Sequence, residues 1–228
     1  MEKLNVLYED NHVIVVLKPQ NVPTQEDESK DMDMLNMVKN YIKEKYNKPG
    51  NVYVGLVHRL DRPTGGVMVF AKTSKSATRL SEQVKNKDMT KKYLAVTAKV
   101  PAKDQGRLSN YLLKNEKTNT VAVVPQLTTG AKLAELEYKV LDTNGEKALV
   151  EVNLFTGRSH QIRVQFRHIE CPLVGDAKYG QPTPNKKLAL WAYYLRFTHP
   201  TTGKTLTFKV FPPVDEMPWN LYNYNKLV

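Results

Sequence analysis

Asp61 lies in the stretch Val57-His58-Arg59-Leu60-Asp61-Arg62-Pro63-Thr64-Gly65-Gly66, a single carboxylate among Arg59, Arg62 and the potential cation His58. Nearby positive charge favours the ionised form of an acid, which suits Asp61 to act as a nucleophile or general base. Pro63 stops a helix from running through the turn that follows. Gly65 and Gly66 permit positive φ or close approach of backbone to a ligand. The competing reading is an aspartate that caps its own turn, and the local pattern alone favours it.

A second constellation lies a hundred residues on, in Thr156-Gly157-Arg158-Ser159-His160-Gln161-Ile162-Arg163-Val164-Gln165-Phe166-Arg167. If Ser159 caps a helix here, the helical period puts Ile162, Phe166 and Ile169 on a buried face and gathers His160, Arg163 and Arg167 on another. Arginine's planar fork suits carboxylate or phosphate, which favours a site over a merely solvated basic face. Tyr93 follows Lys91 and Lys92 at the start of a strand, so its ring could stack on a base while the lysines touch phosphate; the bland reading is a core tyrosine. His12, His58, His160, His168 and His199 are scattered without metal-ligand spacing. A Gly-x-Ser-x-Gly elbow, a P-loop and a dinucleotide fingerprint are all missing.

The elements that must position these residues follow from periodicity. Val6 to Tyr8, a turn at Glu9 to Asn11, and His12 to Leu17 predict an opening β-hairpin. A loop over 20–31 precedes a helix that starts at Asp33, places Leu35, Val38 and Ile42 inward, and stops at Asn47-Lys48-Pro49-Gly50. Val67 to Ala71 is apolar enough for a buried strand. Ser74 can cap a helix with Ala77, Leu80 and Val84 on one face, ended by Asn86 to Asp88. Strands are expected from Lys91 to Ala98, Leu133 to Leu141, Ala148 to Leu154, Lys187 to Phe197 and Thr205 to Phe211, with a short helix after Ser159. Pro101 to Thr129 reads as an uneven insertion without assigned structure. The simplest architecture is α+β: a single domain over 1–228 with a central, mostly antiparallel mixed β-sheet flanked by helices and loops, although a two-lobed sheet is also compatible.

With 34 Lys+Arg against 23 Asp+Glu, the 228-residue chain carries a formal charge of +11, which points to a polyanionic partner. A solvated lysine-rich surface is the alternative on charge alone. One cysteine, Cys171, excludes an intramolecular disulfide and fits a reducing compartment. The N-terminal residues lack the apolar core of a secretory signal, and the apolar runs are strand-sized. A cytoplasmic protein without a membrane span is expected.

His58-Arg59-Leu60-Asp61-x-x-Thr64-x-Gly66 resembles the signature of the RluA family of RNA pseudouridine synthases. Lys18-Pro19-x-x-Val22-Pro23 resembles the family's "KPxGxP" block, and Lys91-Lys92-Tyr93 stands in place of its "KxY". Thr156-Gly157-Arg158-x-His160-Gln161-Ile162-Arg163 and Pro172-Leu173-Val174-Gly175-Asp176-x-x-Tyr179-Gly180 are similar to two more blocks. The resemblance implies the pseudouridine synthase fold, a cleft across the sheet, and isomerisation of uridine in a structured tRNA or rRNA with no cofactor and no metal. It makes Asp61 the reactive aspartate, Arg163 the arginine that pairs with it, Tyr93 the tyrosine that stacks under the target base, and Arg59 the side chain that enters the RNA stack. His58, Arg62, Thr64, Gly66, Arg158, His160 and Gln161 fall in the motifs as substrate-binding residues. Gly65 departs from the serine common there, and Trp191 from a histidine. A monomer without a separate N-terminal RNA-binding module is expected. An RNA N-glycosidase and a non-catalytic RNA-binding or chaperone protein on the same fold remain the alternatives.

Overall fold

The computed structural model describes residues 4–181, 187–224 and 227. In chain order the elements are β1 (Asn5–Glu9), β2 (Val13–Lys18), α1 (Met34–Lys45), β3 (Gly55–Leu56), β4 (Gly65–Ala71), α2 (Ser74–Lys85), β5 (Thr90–Thr97), β6 (Gln105–Asn115), β7 (Thr120–Val124), β8 (Lys132–Asn144), β9 (Lys147–Leu154), α3 (Gln161–His168), β10 (Leu190–Thr198) and β11 (Thr205–Lys209), with a 3-10 turn at Trp219–Leu221. The expected α+β class with mostly antiparallel pairing holds. The chain divides into two compact units, one of Met1–Thr90 with Ala192–Val210 and one of Lys91–Trp191 with Phe211–Val228.

In the first unit the strand order is β1-β2-β4-β10, with β3 on β4 and β11 on β10. Val13 to Val16 and all seven residues of β4 are buried, as uninterrupted apolar runs require when both faces of a strand are covered. Val13, Val15, Val67, Val69, Leu195 and Phe197 share one core with Leu80 of α2. Asp33 caps α1 by accepting the Asn36 N–H at 3.0 Å, and the helix buries Met34, Val38 and Ile42, with Met34 taking the place expected for Leu35. The cap of α2 is Thr73, whose hydroxyl accepts the Ser76 N–H at 3.1 Å; Ser74, expected in that role, is the first helical residue. Glu9 ties α1 to β1 through Lys45 at 2.6 Å and Tyr41 at 3.1 Å, and also receives Lys72 at 2.6 Å. Burial opposes its ionisation, but the Lys45, Lys72, Tyr46 and Tyr41 hydrogen bonds bring its pKa down to about 2.

The second unit orders its strands β5-β9-β8-β6-β7, each pair antiparallel. The region 101–129, left without structure by the sequence pattern, holds the long hairpin of β6 and β7. Leu112, Val121 and Ala134 of its strands and β8 pack with Val164 of α3. The N-cap of α3 is His160 in the left-handed region at φ 52°, without a side-chain cap, where Ser159 was expected. Among the described residues no helix is long and apolar enough to cross a membrane.

Candidate active site

Asp61 is half-buried at the mouth of β4, and its carbonyl accepts the Thr64 N–H at 2.9 Å to close the expected turn. The loop after β2 grips that turn from several sides. Asn21 N–H donates to the Arg62 carbonyl at 2.8 Å and Gln20 to the Pro63 carbonyl at 2.9 Å. Thr24 hydroxyl donates to the Leu60 carbonyl at 2.8 Å. At the centre is Lys18, 0% exposed, whose Nζ donates to the carbonyls of Pro19 and Arg62 at 3.0 Å each and of Thr64 at 2.8 Å. Burial brings its pKa down to about 7, while the charge of Asp61 works in the opposite direction. The backbone around Asp61 is thus held in place before any substrate arrives.

The other residues of this stretch take differing parts. Arg59 is exposed and forms no ion pair among the described residues. Arg62 is exposed too, but its guanidinium bonds Asp31 and, at 2.8 Å, the Ser29 hydroxyl, with Asp27 at 3.5 Å. These bonds tie Arg62 to the 20–31 loop. His58 accepts the Val69 N–H through Nε2 at 3.2 Å, a tie to β4. Thr64 is only 2% exposed. Gly66, at φ 130°, is pressed so closely on β10 that a Cβ would lie 2.3 Å from the Ala192 carbonyl oxygen. Packing on β10 requires its glycine.

In the second unit Tyr93 lies on β5 opposite Val152 and is 5% exposed. Gln161, 3% exposed, builds the loop before α3: its Oε1 accepts the Thr156 hydroxyl at 2.8 Å and the Arg158 N–H at 3.1 Å, and its Nε2 donates to the Glu135 carbonyl at 3.1 Å. These bonds fill the acceptor capacity of Oε1 and leave one N–H of the amide beyond them. Arg158 donates from Nε to the Leu133 carbonyl at 3.0 Å. The expected comb of cations on α3 is divided, since Arg163 is buried and Arg167 exposed.

Two residues whose roles the sequence did not disclose organise this side, Asp176 and Tyr179. The Asp176 carboxylate receives Nε of Arg163 at 2.8 Å and Nη2 at 2.7 Å, a bidentate pair, and also the N–H groups of Lys178 and Tyr179 at 3.0 Å. Burial opposes the charge on Asp176, yet the Arg163 bonds and these amides hold its pKa below the usual carboxylate range. The Tyr179 ring lies 5.1 Å from the Arg163 guanidinium carbon. Its hydroxyl accepts the Val121 N–H at 2.8 Å and shares a hydrogen bond of 2.6 Å with Nδ1 of His160. The signal for both roles is the Gly-Asp-x-x-Tyr-Gly spacing, in which Asp176 bonds the Tyr179 amide three residues on.

Comparison with known proteins gives consistent matches. A family model described as RNA pseudouridylate synthase matches residues 12–168. An uncharacterized RNA pseudouridine synthase of Bacillus subtilis (strain 168) is 33% identical over 218 residues, covering 93% of this chain and 70% of that protein. Ribosomal large subunit pseudouridine synthase D of Yersinia pestis is 33% identical over 229 residues, covering 93% of this chain and 68% of its own. The solved structure of human RNA pseudouridylate synthase domain containing 4 superposes with a TM-score of 0.77 at 23% identity, over 92% of this chain and 88% of that one, a likeness of fold.

Proposed function

The chain belongs to the RluA family of RNA pseudouridine synthases and is an isomerase acting on RNA; on that premise we propose that it converts uridine in large-subunit ribosomal RNA, with Asp61 acting on the ribose. The choice of RNA is supported by relatives named for the ribosomal large subunit, among them the Yersinia pestis protein. Transfer RNA is the other substrate the proposal must exclude. The proposed catalytic set is Asp61, Tyr93 and Arg163, with Arg59 entering the stack, on a single catalytic domain over 1–228. A monomer working in the cytoplasm without metal or cofactor completes the reading.

The single observation that carries it is the Asp61 turn, every carbonyl of which, from Asp61 to Thr64, is engaged by the protein. A carboxylate set on so rigid a support suits a reaction in which position supplies much of the rate. A uracil within a stacked helix is unreachable, so it must be extruded, at a cost of about a few kcal/mol that phosphate contacts and an inserted side chain offset. Asp61 then attacks the sugar or removes a proton from it, the N1–C1′ bond breaks, and the detached uracil turns. A C5–C1′ bond forms as Asp61 leaves the sugar or gives its proton back, the proton on C5 leaves and N1 gains one, so the product is an isomer of the substrate. Exclusion of water keeps the free base from escaping.

Unmodified large-subunit ribosomal RNA and tRNA transcripts, treated with the chain and mapped by carbodiimide-stop sequencing, test the proposal. The wild type should place pseudouridine in the ribosomal transcript, and Asp61→Asn should give none while still binding it. Turnover by Asp61→Asn would remove Asp61 from the mechanism. Free uracil in the supernatant would indicate an N-glycosidase, and binding without modification a chaperone.

A further inference from the structure

The two lysines that open β5 are treated differently by the fold. Lys92 reaches a Glu151 carboxylate oxygen at 3.3 Å. Lys91 forms no hydrogen bond or ion pair among the described residues, although it is half-buried and its surroundings push its pKa below the ordinary lysine value. Cations withdrawn from water are normally paired, so a fold that keeps one unpaired sacrifices stability for it. Lys91 and Tyr93 are two apart on one strand, which sends both side chains to the same face of the sheet. On that face Nζ of Lys91 lies 3.7 Å from where a Cβ on Gly157 would be, and the Gly157 N–H has no acceptor in the described protein. Gln161 fixes the flanking residues Thr156 and Arg158, so the glycine backbone is held beside the ammonium.

We propose that Lys91 binds a backbone phosphate of the substrate RNA, the one adjoining the nucleotide whose base meets Tyr93. The proposal rests on the reading of the chain as an RNA pseudouridine synthase and adds to it a defined phosphate subsite. An incoming phosphodiester supplies the counter-charge that the fold withholds, and the Gly157 amide is a second donor at the same place. Lys92, already paired with Glu151, is outside the subsite.

Lys91→Met keeps the length of the side chain and removes the charge. In the full chain it should leave the thermal midpoint unchanged or raised, because a desolvated cation is lost, while turnover on the unmodified large-subunit transcript falls about 10- to 100-fold. Binding of that transcript, measured in the Asp61→Asn background so that no RNA is modified, should lose about 0.7–0.9 from the slope of log K against log salt, the amount for one phosphate contact. Lys91→Arg should recover the slope. An unchanged slope overturns the proposal whatever happens to turnover, and a midpoint lowered by Lys91→Met shows a structural lysine instead. Inorganic phosphate, titrated at constant ionic strength, is the remaining arm: if it protects the wild type but not Lys91→Met while the RNA slope is unaltered, the subsite takes free anions and the backbone assignment falls. A wild type that binds the transcript but makes no pseudouridine tells against the proposed function, and the slope still judges Lys91.

Discussion

Lys18→Met tests how the Asp61 turn is held. Two opposed effects follow from the structure. Removing Nζ strips the Pro19 and Thr64 carbonyls of their lysine donor, at about 1–3 kcal/mol for each group left unsatisfied, while the Arg62 carbonyl keeps Asn21. Against that, a pKa brought down from 10.5 to about 7 means that the buried ammonium costs the folded state on the order of 5 kcal/mol. Near pH 7 the substitution therefore changes stability by little more than the difference between these terms. The pH dependence separates them. Because the folded-state pKa is depressed, the folded chain binds fewer protons than the unfolded one between about pH 7 and 10.5, and stability from this group rises with pH across that window. Over pH 7 to 9 the wild type should gain about 2 kcal/mol relative to Lys18→Met, read from urea unfolding of both chains at each pH. Turnover by the variant should fall about 10- to 100-fold, since a turn freed at its centre no longer fixes Asp61. Parallel stability curves for the two chains would refute the account of Lys18 as a desolvated cation, and full activity would refute its part in holding the turn.

Two further substitutions probe other supports. Asp176→Asn exchanges one charged partner of the buried Arg163 for a neutral one and should lower stability in urea unfolding at pH 7. Since the Asp176 pKa is depressed in the folded state, its contribution is present above the ordinary carboxylate pKa and is lost as pH falls through the folded value. The gap between wild type and Asp176→Asn should accordingly narrow in acid, and a constant gap would contradict the ion pair's role. Gly66→Ala must move a Cβ away from the Ala192 backbone at a φ that side chains rarely adopt, so soluble yield and thermal midpoint should both drop sharply. A midpoint within a degree or two of wild type would show that β10 yields easily.

Much of the framework could be read in the residues themselves. The opening hairpin, the helices at 34–45 and 74–85 and the buried run of β4 carry strong local periodicity, and periodicity survives folding when burial on one face demands it. The 101–129 region failed that test because β6 mixes exposed and half-buried residues, so its alternation is weak until β8 pairs with it. Cap positions differ from expectation by one residue: at α2 the adjacent Thr73 and Ser74 hydroxyls compete for one role, and at α3 the left-handed His160 takes the position without a side-chain cap. At the site, reactive types stood out while their supports did not. Lys18, Gln161, Asp176 and Tyr179 were visible as motif letters. Their bonds to Thr64, Glu135, Arg163 and Val121, however, form between residues whose meeting no local pattern announces. Arg62 shows the reverse hazard, a charge next to Asp61 in sequence whose partners are Asp27 and Asp31.

The strand that presses on Gly66 also sets a schedule. β10 and β11 belong to the first unit, yet they follow the rest of it by about a hundred residues of chain. At ribosomal rates of about 5–20 residues per second, β4 is out of the exit tunnel for roughly 5–20 s before its neighbour is even made. Throughout that interval one edge of an apolar, fully buried strand is covered only at Phe70 and Ala71 by the two-residue β3, and the Asp61 turn at its start rests on β2 and the following loop alone. The cradle built by Lys18 to Thr24 comes from residues already synthesised, so the reactive turn can take shape while the sheet beneath it is still open. A nascent chain stalled before Leu190 would expose that edge to any passing strand, which makes this interval the one in which aggregation or a chaperone competes with folding.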